Sequence, residues 1–588
     1  MVRKQPTRRV RQSFLHGALI LTAGVLLVKV IGALFKIPLS AVITEDGMGY
    51  FSTAYSFYNV IFSLATAGFP VAVSRMVSES DSRGRWRDVR RIREVSFPIF
   101  LLTGAVGTAL MILGAPLYTE AVGNPGALPA MLALAPSVLL CSLAAVYRGY
   151  YEGLRNMVPT SVSQVAESLA KLVFGLSGAY LVMRVCRGEL AQSGTVLGHT
   201  VGEGAQAARL ICALGAAAAM LGVSVGSLLS LLYLRRYHRR HGDGITAAQL
   251  DASPAPQPGR TLARSLLASS VPIAIGAVAM SVSGLIDASF LQTRVAYILE
   301  HDPAPLLELY NGCIPAENLA APVSIPNYLF GCYNMALTLF MLVPSITQAF
   351  GVSALPSVTH AFARGVKQEV RSAMETVLRV TCLFALPAGI GLSVLAEPIA
   401  RLVYGARSST PIIGQALAVM GVAAVYAAVT TPLGSMLQAV GRVELPVILV
   451  LGGRLVKVVL NYVLAGIPEI NILGGGISTL VCYVLVTAAE LLALVRITGI
   501  RMDFMSTVIK PLLAALLCGA SAYGVWYALE HYGAASRLSA VPAIAAGAVV
   551  YAALLFLLRA VQAADLAMLP GGEKITKRLQ KYLQKAGG

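Results

Sequence analysis

The run from Val25 to Ser80 constrains the fold more than any other part of this sequence. Two long apolar stretches flank a predicted turn at Thr44–Gly47, and the first stretch contains Lys29 and Lys36. These lysines are two helical turns apart and share one helix face; the first lies roughly 22 Å along its helix, too deep for easy snorkelling in a ~30 Å hydrocarbon layer. Two interpretations stay open: a buried ion pair or end-snorkelling lysine, and a wet cationic cavity that meets an anionic substrate.

Composition places the chain among polytopic helical membrane proteins. Of 588 residues, 56% are hydrophobic and 13% charged, mean hydropathy is +0.72, and apolar runs of membrane-spanning length recur throughout. In a membrane protein, a net charge of +18 reflects basic loops on the cytoplasmic side and contact with lipid head groups. We therefore predict anionic lipids, and not nucleic acid, as partners. The sequence contains no P-loop, nucleophile elbow or metal-ligand spacing, so we predict neither an enzyme nor a metal or other cofactor site. The eight scattered cysteines indicate free thiols.

The apolar runs predict fourteen membrane spans, with both ends of the chain inside. If the N-terminus is cytoplasmic, 34 of the 46 Lys and Arg residues lie in or beside inner segments and seven lie in outer ones, which is the expected inside bias. The predicted spans are 14–42, 50–77, 96–118, 127–147, 159–183, 205–234, 265–292, 326–355, 377–403, 412–440, 446–467, 474–496, 509–530 and 539–561.

A polar, proline-rich stretch divides the spans into two groups of six. We predict a basic cytoplasmic N-terminus, an N-lobe, a cytoplasmic linker, a C-lobe, two further spans and a basic cytoplasmic tail. The corresponding ranges are 1–13, 14–234, 235–263, 264–496, 497–561 and 562–588. In the tail, residues 574–585 place lysines and apolar side chains on different helix faces, which is typical of a helix lying on anionic lipid.

The two halves resemble each other. Gly153 and Pro159 precede span 5, and Gly441 and Pro446 precede span 11 in the same layout. Proline at a helix start costs no hydrogen bond, so both prolines mark N-terminal helix ends. Because each half has an even number of spans, the halves share one orientation, and a central site between them is expected for such parallel repeats.

Spans 5 and 11 carry cations at similar depth. Lys171 and Lys457 lie roughly 17–18 Å beyond the prolines that begin their helices. Arg454 shares a face with Lys457, and these like charges need an acid, a bound anion or water. Glu167 stands four residues before Lys171, so an intrahelical ion pair is one explanation for both. Asp287 in span 7 is either a partner for these cations or a site for a coupling cation or proton.

Several motifs resemble the SpoVB/MurJ-like branch of the MOP exporter superfamily over nearly the whole chain. They are VKVIGALFKIPLSAVI, the GMGYF…YN…AGFPVAVSR stretch, RGYYEGLRNMVPTSVSQVAESLAKLV and MLQAVGR. The resemblance implies an all-α fold of fourteen helices, with two six-helix lobes in a MATE-like V and two extra C-terminal helices. It also implies transport of undecaprenyl-linked cell-wall or polysaccharide precursors across the bacterial cytoplasmic membrane, by a monomer working beside cell-wall synthesis enzymes.

The resemblance further implies roles for individual cations. Related flippases carry two arginines in the first helix, where Lys29 and Lys36 stand here with one more residue between them. An arginine is common in this branch at the position of Lys171. Spans 2 and 8 lack the internal arginines of some relatives, although Arg75 is present at the inner end of span 2. The predicted diphosphate-binding residues are Lys29, Lys36, Lys171, Arg454 and Lys457, and the predicted gate or ion-coupling residues are Arg75, Glu167 and Asp287.

These observations predict a non-enzymatic flippase for a prenyl-pyrophosphate-linked saccharide, working by alternating access with H⁺ or Na⁺ as undetermined coupling ion. The alternative is a MATE-type cation-coupled drug antiporter, for which an acid-dominated cavity is expected. The intramembrane count is five cations against three acids, the third acid being Glu490. A membrane glycosyltransferase or polymerase would need catalytic acids at a membrane face, and none is visible in the sequence.

Overall fold

A computed structural model describes residues 14–66, 68–200, 204–500, 502–532, 538–558 and 560–561. Within them the chain is almost entirely α-helical, with one two-stranded antiparallel ribbon formed by β1 (Thr195–Val196) and β2 (His199–Thr200). The helices are α1 (Phe14–Thr66), α2 (Phe69–Ser82), α3 (Trp86–Ala121), α4 (Leu128–Gly153), α5 (Val158–Ala170), α6 (Leu176–Ser193), α7 (Gly204–His241), α8 (Ala247–Asp251), α9 (Gly259–His301), α10 (Pro303–Leu309), α11 (Ala316–Leu319), α12 (Ile325–Phe340), α13 (Leu342–Ala363), α14 (Lys367–Val394), α15 (Ala396–Tyr404), α16 (Thr410–Ala439), α17 (Glu444–Leu464), α18 (Leu473–Thr498), α19 (Lys510–His531) and α20 (Ala540–Leu557).

The first two predicted spans form one continuous helix with a break. At 1.5 Å per residue, the 53 residues of α1 measure about 80 Å, more than twice the hydrocarbon layer. Thr44 has non-helical backbone angles (φ 61°, ψ −173°), and this residue separates the two halves. The sequence predicts a turn of four residues, Thr44–Gly47. In the structure only the first of them, Thr44, leaves the helical conformation.

The predicted all-α polytopic fold is confirmed, and the chain is a multi-pass membrane protein. In the described ranges, thirteen helical stretches are long and apolar enough to span a membrane, and the first of them, of 63 residues, is long enough for two spans. The helix starts expected at Pro159 and Pro446 are also found, since α5 begins at Val158 and α17 at Glu444. All eight cysteines are free thiols, as predicted. The N-terminal segment 1–13 and the amphipathic tail 574–585 lie outside the described residues.

The helices form two compact units. The first comprises Met1–Glu308 and Ile314–Met335, and the second comprises Leu309–Cys313 and Ala336–Gly588. Thus α9 belongs to the first unit, whereas the lobes predicted from the linker position would place it in the second half of the chain. The predicted lobe boundaries themselves stay predictions.

In the first unit, α7 is the central helix and packs against α1, α4, α5 and α6. Glycines allow this close approach. A Cβ atom at Gly226 would lie 2.7 Å from the backbone oxygen of Glu167 on α5, and one at Gly222 would overlap the backbone of Gly175. Small residues are the usual means by which membrane helices pack closely. The result is that the residues around Lys171 are held directly against α7.

The segment predicted as the linker folds onto the first unit. Its first part continues α7 to His241, α8 begins with a capping box at Thr246, and α9 starts at Gly259. Arg90 of α3 donates to Asp243 at 2.7 Å, and the backbone N–H of Gln257 donates to Asp88 at 2.7 Å. Burial alone raises the pKa of the Asp243 carboxyl, but the Arg90 hydrogen bond and charge and the Ile245 N–H outweigh burial and hold that pKa below its ordinary value.

The second unit is built around α16, which packs against α13, α14 and α18. An apolar cluster of Leu433, Met436 and Leu437 with Met374 and Leu494 joins the ends of these helices. The last two helices, α19 and α20, pack on each other, and α19 also packs on α14. Arg401 of α15 bridges Glu397 at 2.9 Å and Glu530 of α19 at 3.0 Å.

Candidate functional site

Lys171 occupies an irregular point in its helix. A π-helical turn, Lys171–Gly175, interrupts the helical stretch between α5 and α6. Such turns often occur at functional sites because they redirect a side chain from the regular helical position. The corresponding stretch of the second half, around Lys457 in α17, is continuous α-helix. The two halves therefore differ in helix geometry at Lys171 and Lys457, the cations that occupy similar depths in spans 5 and 11.

Two aromatic rings hold the ammonium group of Lys171. Its Nζ lies 4.9 Å from the ring centroid of Phe35 and 5.2 Å from that of Tyr55. Both distances are within the range of cation–π attraction. Phe35 lies in the first half of α1 and Tyr55 in the second half, so a single cation contacts both sides of the Thr44 break. We call these three residues the lysine cage.

Lys36 lies beside the lysine cage. It immediately follows Phe35, its side chain is half-buried, and its charge acts on Lys171. Helix α1 and the π-helical turn that follows α5 therefore meet at these residues. Lys29, two turns earlier on α1, has an exposed side chain that makes its own contacts.

The carboxylate of Glu167 is bound by Arg148 and not, as one interpretation of the sequence had it, by Lys171. Arg148 donates to Glu167 Oε2 at 2.7 Å and to Ser230 at 2.8 Å. The hydroxyl of Ser227 donates to the other carboxylate oxygen at 3.2 Å. The sequence analysis did not identify Arg148 as a site residue. It stands one residue beyond the predicted end of span 4, where a cation is already explained by the inside bias of Lys and Arg. Its nineteen-residue separation from Glu167 in sequence gives no periodic signal.

These four side chains define a basic cluster: Lys36, Arg148, Glu167 and Lys171. Three are cations and one is an anion, and the anion is already hydrogen-bonded to one of the cations. The remaining positive charge sits on Lys36 and Lys171. Charges buried inside a membrane protein are costly unless they meet water, an opposite charge or a ligand. The cluster therefore carries more cations than acids.

The other predicted site residues fall in different places. Asp287 is half-buried in α9 and Arg75 is exposed in α2, both in the first unit. Arg454 and Lys457 are half-buried in α17 of the second unit, and each has contacts there. The structure therefore groups Lys36, Lys171 and Glu167 of the predicted set, and the roles proposed for all eight residues stay predictions.

A second polar group, which the sequence did not reveal, lies at the predicted outer end of the first unit. Asn318 donates to the carboxylate of Asp46 at 3.2 Å, and Asn327 donates to the backbone oxygen of the same residue at 2.9 Å. Asn124 donates to Asn327 at 2.9 Å and to Gln292 at 2.7 Å. All four amides are nearly completely buried. We call these five residues the amide network; it joins α1, α9, α11, α12 and the loop before α4.

Comparison with known proteins agrees with this architecture. The chain is 24% identical over 488 residues to the lipid II flippase MurJ of Bacillus subtilis (strain 168), covering 80% of both chains. It is 24% identical over 566 residues to the stage V sporulation protein B of the same organism, covering 95% of this chain and 98% of that protein. The chain is a homologue of MurJ and SpoVB. The recognition made from its motifs is therefore confirmed.

Family models and solved structures agree with this homology and also identify the fold of the chain. Residues 14–202 match the family described as "Polysaccharide biosynthesis protein", and residues 330–463 match MatE. A lipid II flippase MurJ in an inward closed conformation superposes with a TM-score of 0.59 at 14% identity, covering 92% of this chain and 99% of that one. An inward-facing multidrug resistance MATE transporter of the MOP superfamily superposes with a TM-score of 0.58 at 14% identity, covering 82% and 98%. The fold is that of a membrane transporter.

Proposed function

We propose that this protein is a flippase that moves an undecaprenyl-linked saccharide across the cytoplasmic membrane by alternating access. Lipid-linked saccharides of this class carry a diphosphate between the prenyl chain and the sugar. The negative charge of that group is the part of the substrate that most needs a partner inside the membrane. Homology to a lipid II flippase and to SpoVB supports this substrate class.

The observation that carries the proposal is the pair of like charges at Lys36 and Lys171. Glu167, the acid on the same helix, is already held by Arg148 and Ser227. An entering diphosphate would supply the missing negative charge and accept charge-assisted hydrogen bonds from both ammonium groups. Lysine suits this role because its ammonium is a compact point charge on a flexible stem, which can follow a moving group. Lys29, Arg454 and Lys457 would add cations along the route.

A MATE-type antiporter of a cationic small molecule is the second candidate. The MatE match and the MATE structural neighbour favour it. The basic cluster argues against it, because its three cations outnumber its single acid and would repel a cationic substrate. The two candidates thus differ in the sign of the charge that the first unit accepts.

The deciding experiment replaces the cluster lysines and measures both activities. Lys36→Gln and Lys171→Gln keep a polar side chain of similar length but remove its charge. Lys367→Gln is the matched control at an exposed position on α14. We expect the wild type and the control to rescue a strain depleted of its lipid II flippase, and both cluster variants to fail at normal membrane levels. In proteoliposomes, translocation of a fluorescent prenyl-diphosphate saccharide should follow the same order.

Two results would contradict the proposal. Full rescue by both cluster variants would remove the diphosphate-binding role from these lysines. Efflux of a cationic dye by the wild type, without translocation of the lipid-linked saccharide, would favour the antiporter. Because the dye and the lipid are measured on the same vesicles, a folding defect cannot imitate the second result.

A further inference from the structure

Glu490 is a buried carboxyl group that the proposed transport site does not use. It lies in α18 of the second unit and is 1% exposed. Both of its carboxyl oxygens are enclosed, and neither has a hydrogen-bond partner within the described ranges. A Cβ atom added to Gly434 of α16 would lie 3.5 Å from Oε1 and 3.4 Å from Pro446 of α17. The carboxyl therefore stands where α16, α17 and α18 meet.

The surroundings of Glu490 are apolar. Leu491 and Leu494 of α18 belong to the same apolar cluster as Leu433 and Leu437 of α16. The helices that pack most extensively against α18 are α16 and α17, and Phe340 of α12 also meets Tyr483 of α18. Ionisable side chains on these two helices and on α18 itself are Tyr426, Glu444, Arg454, Lys457, Tyr462, Cys482, Tyr483 and Arg496. None of them acts on the carboxyl in the part of the chain that the structure describes; burial alone does.

An ionised carboxylate is not stable in such a place. Transfer of an unpaired carboxylate into an apolar interior is so costly that the group takes up a proton instead. The neutral acid is also poorly accommodated, because its O–H and C=O are left without partners among the described residues. A purely structural residue would avoid that cost. An ionisable residue inside a membrane protein is by default a functional group.

We propose that Glu490 is a proton-binding site that loads and unloads as the second unit changes conformation. The carboxylate takes one proton from hydronium in the water on one face of the membrane, and becomes the carboxylic acid, when the helices around it part toward that face. It is enclosed in that form when they close, and it gives the proton to water on the opposite face when they part toward that side. Sodium fits this site poorly, since hard cations are held by several oxygen ligands and the enclosure offers the two oxygens of one carboxyl.

The proton site would give the proposed transporter its coupling ion. In that respect it rests on the proposed function, but the protonation itself does not depend on which substrate is moved. It can therefore be tested without substrate, and a failed flippase assay would leave it standing.

Infrared difference spectroscopy of the purified full-length protein tests the protonation. We expect the wild type to show the carbonyl band of a protonated carboxylic acid at neutral pH. Glu490→Gln, which matches the neutral acid in size, should lack the band. Glu397→Gln should keep it, because Glu397 is a half-buried acid paired with Arg401 at 2.9 Å. Absence of the band from the wild type would overturn the proposal, whether or not the glutamine variant folds. Persistence of the band in Glu490→Gln would overturn it as well.

A native cysteine reports the conformational half of the proposal. Cys482 lies on α18 eight residues before Glu490 and is 4% exposed, and a Cβ atom at Gly453 of α17 would approach its sulfur at 3.3 Å. Labelling of Cys482, followed by mass spectrometry, thus measures the parting of α17 and α18. Dividing the wild-type labelling by that of Glu490→Gln at each pH removes the intrinsic reactivity of the thiol. We expect this ratio to rise severalfold with increasing pH, because deprotonation disfavours the enclosed state. A ratio that is the same at every pH would overturn the coupling of the proton to the conformation.

Discussion

At the scale of single residues, Lys171 shows how an ammonium group can be kept ready inside a membrane. Contact with the rings of Phe35 and Tyr55 offsets part of its desolvation without consuming a negative charge. Cation–π attraction of a desolvated lysine amounts to about 2 kcal/mol, less than a charge-assisted contact with a doubly anionic group offers. The diphosphate of the proposed substrate would therefore displace the rings, whereas a carboxylate partner would compete with it.

Lys29 provides the residue-scale prediction. Its side chain is exposed, so Lys29→Ala should fold and reach the membrane at wild-type levels while losing flippase rescue. Loss of one charge-assisted contact, about 1.5–3 kcal/mol, corresponds to roughly ten- to hundredfold weaker binding. Lys29→Arg should keep activity because the charge persists. Complementation and membrane abundance, measured together, check this; a well-folded alanine variant with full rescue would exclude Lys29 from substrate binding.

At the scale of elements, the π-helical turn at Lys171–Gly175 depends on close contact with α7. A Cβ atom at Gly222 would overlap the backbone of Gly175, so the two helices have no room for a side chain there. The position of the lysine cage therefore depends on a contact between two glycines.

Substitution of Gly222 should disturb this contact. We expect Gly222→Ala to lower stability by about 1–3 kcal/mol, the usual range for overpacking, and to reduce flippase rescue. Gly188→Ala on α6 is the control, because nothing lies within 4 Å of an added Cβ atom there. Thermal denaturation of both purified variants is the measurement. Equal melting temperatures would show that α7 moves away without cost.

The helices themselves could be predicted from the sequence, and the polar contacts between them could not. Long apolar runs and the prolines at 159 and 446 suffice to place spans within a few residues, because the bilayer fixes length and hydropathy. The Arg148–Glu167 pair and the amide network join residues that are 19 and up to 281 positions apart. Such partners depend on which helix faces meet, and a single sequence carries no signal for that. The proline-rich composition likewise gave no indication that 235–263 folds onto α3.

At the scale of the whole molecule, the folded linker ties the start of α9 to the first unit. Asp243→Asn should lower the melting temperature at pH 7, because it breaks the pair with Arg90, which is partly exposed; we expect a loss of about 1 kcal/mol. Since the folded-state pKa of Asp243 is lowered, its contribution is present above the ordinary aspartate pKa of about 3.9 and is lost as pH falls through the lowered value. The two proteins should therefore begin to converge below about pH 4 and coincide only below the lowered pKa. Asp302→Asn, at an exposed acid after α9, is the control, and equal stabilities at pH 7 would contradict the prediction.

The same segment tests the topology of the whole chain. If the inside bias of Lys and Arg sets the orientation, Ala255, which is exposed in the linker, faces the cytoplasm. A membrane-impermeant maleimide should then modify Ala255→Cys only after the cells are permeabilised. Seven of the eight native thiols are buried, so the background should be low. Labelling in intact cells would reverse the predicted orientation.

The amide network has a consequence for how the protein responds to ionic strength. Four of its five side chains are uncharged, and amides exchange a protein partner for water with little net change in free energy. Ions in the medium screen charges but hardly affect contacts between neutral dipoles. If this end faces outward, as the inside bias of Lys and Arg predicts, changes in ionic strength outside the cell should leave most of these contacts unchanged.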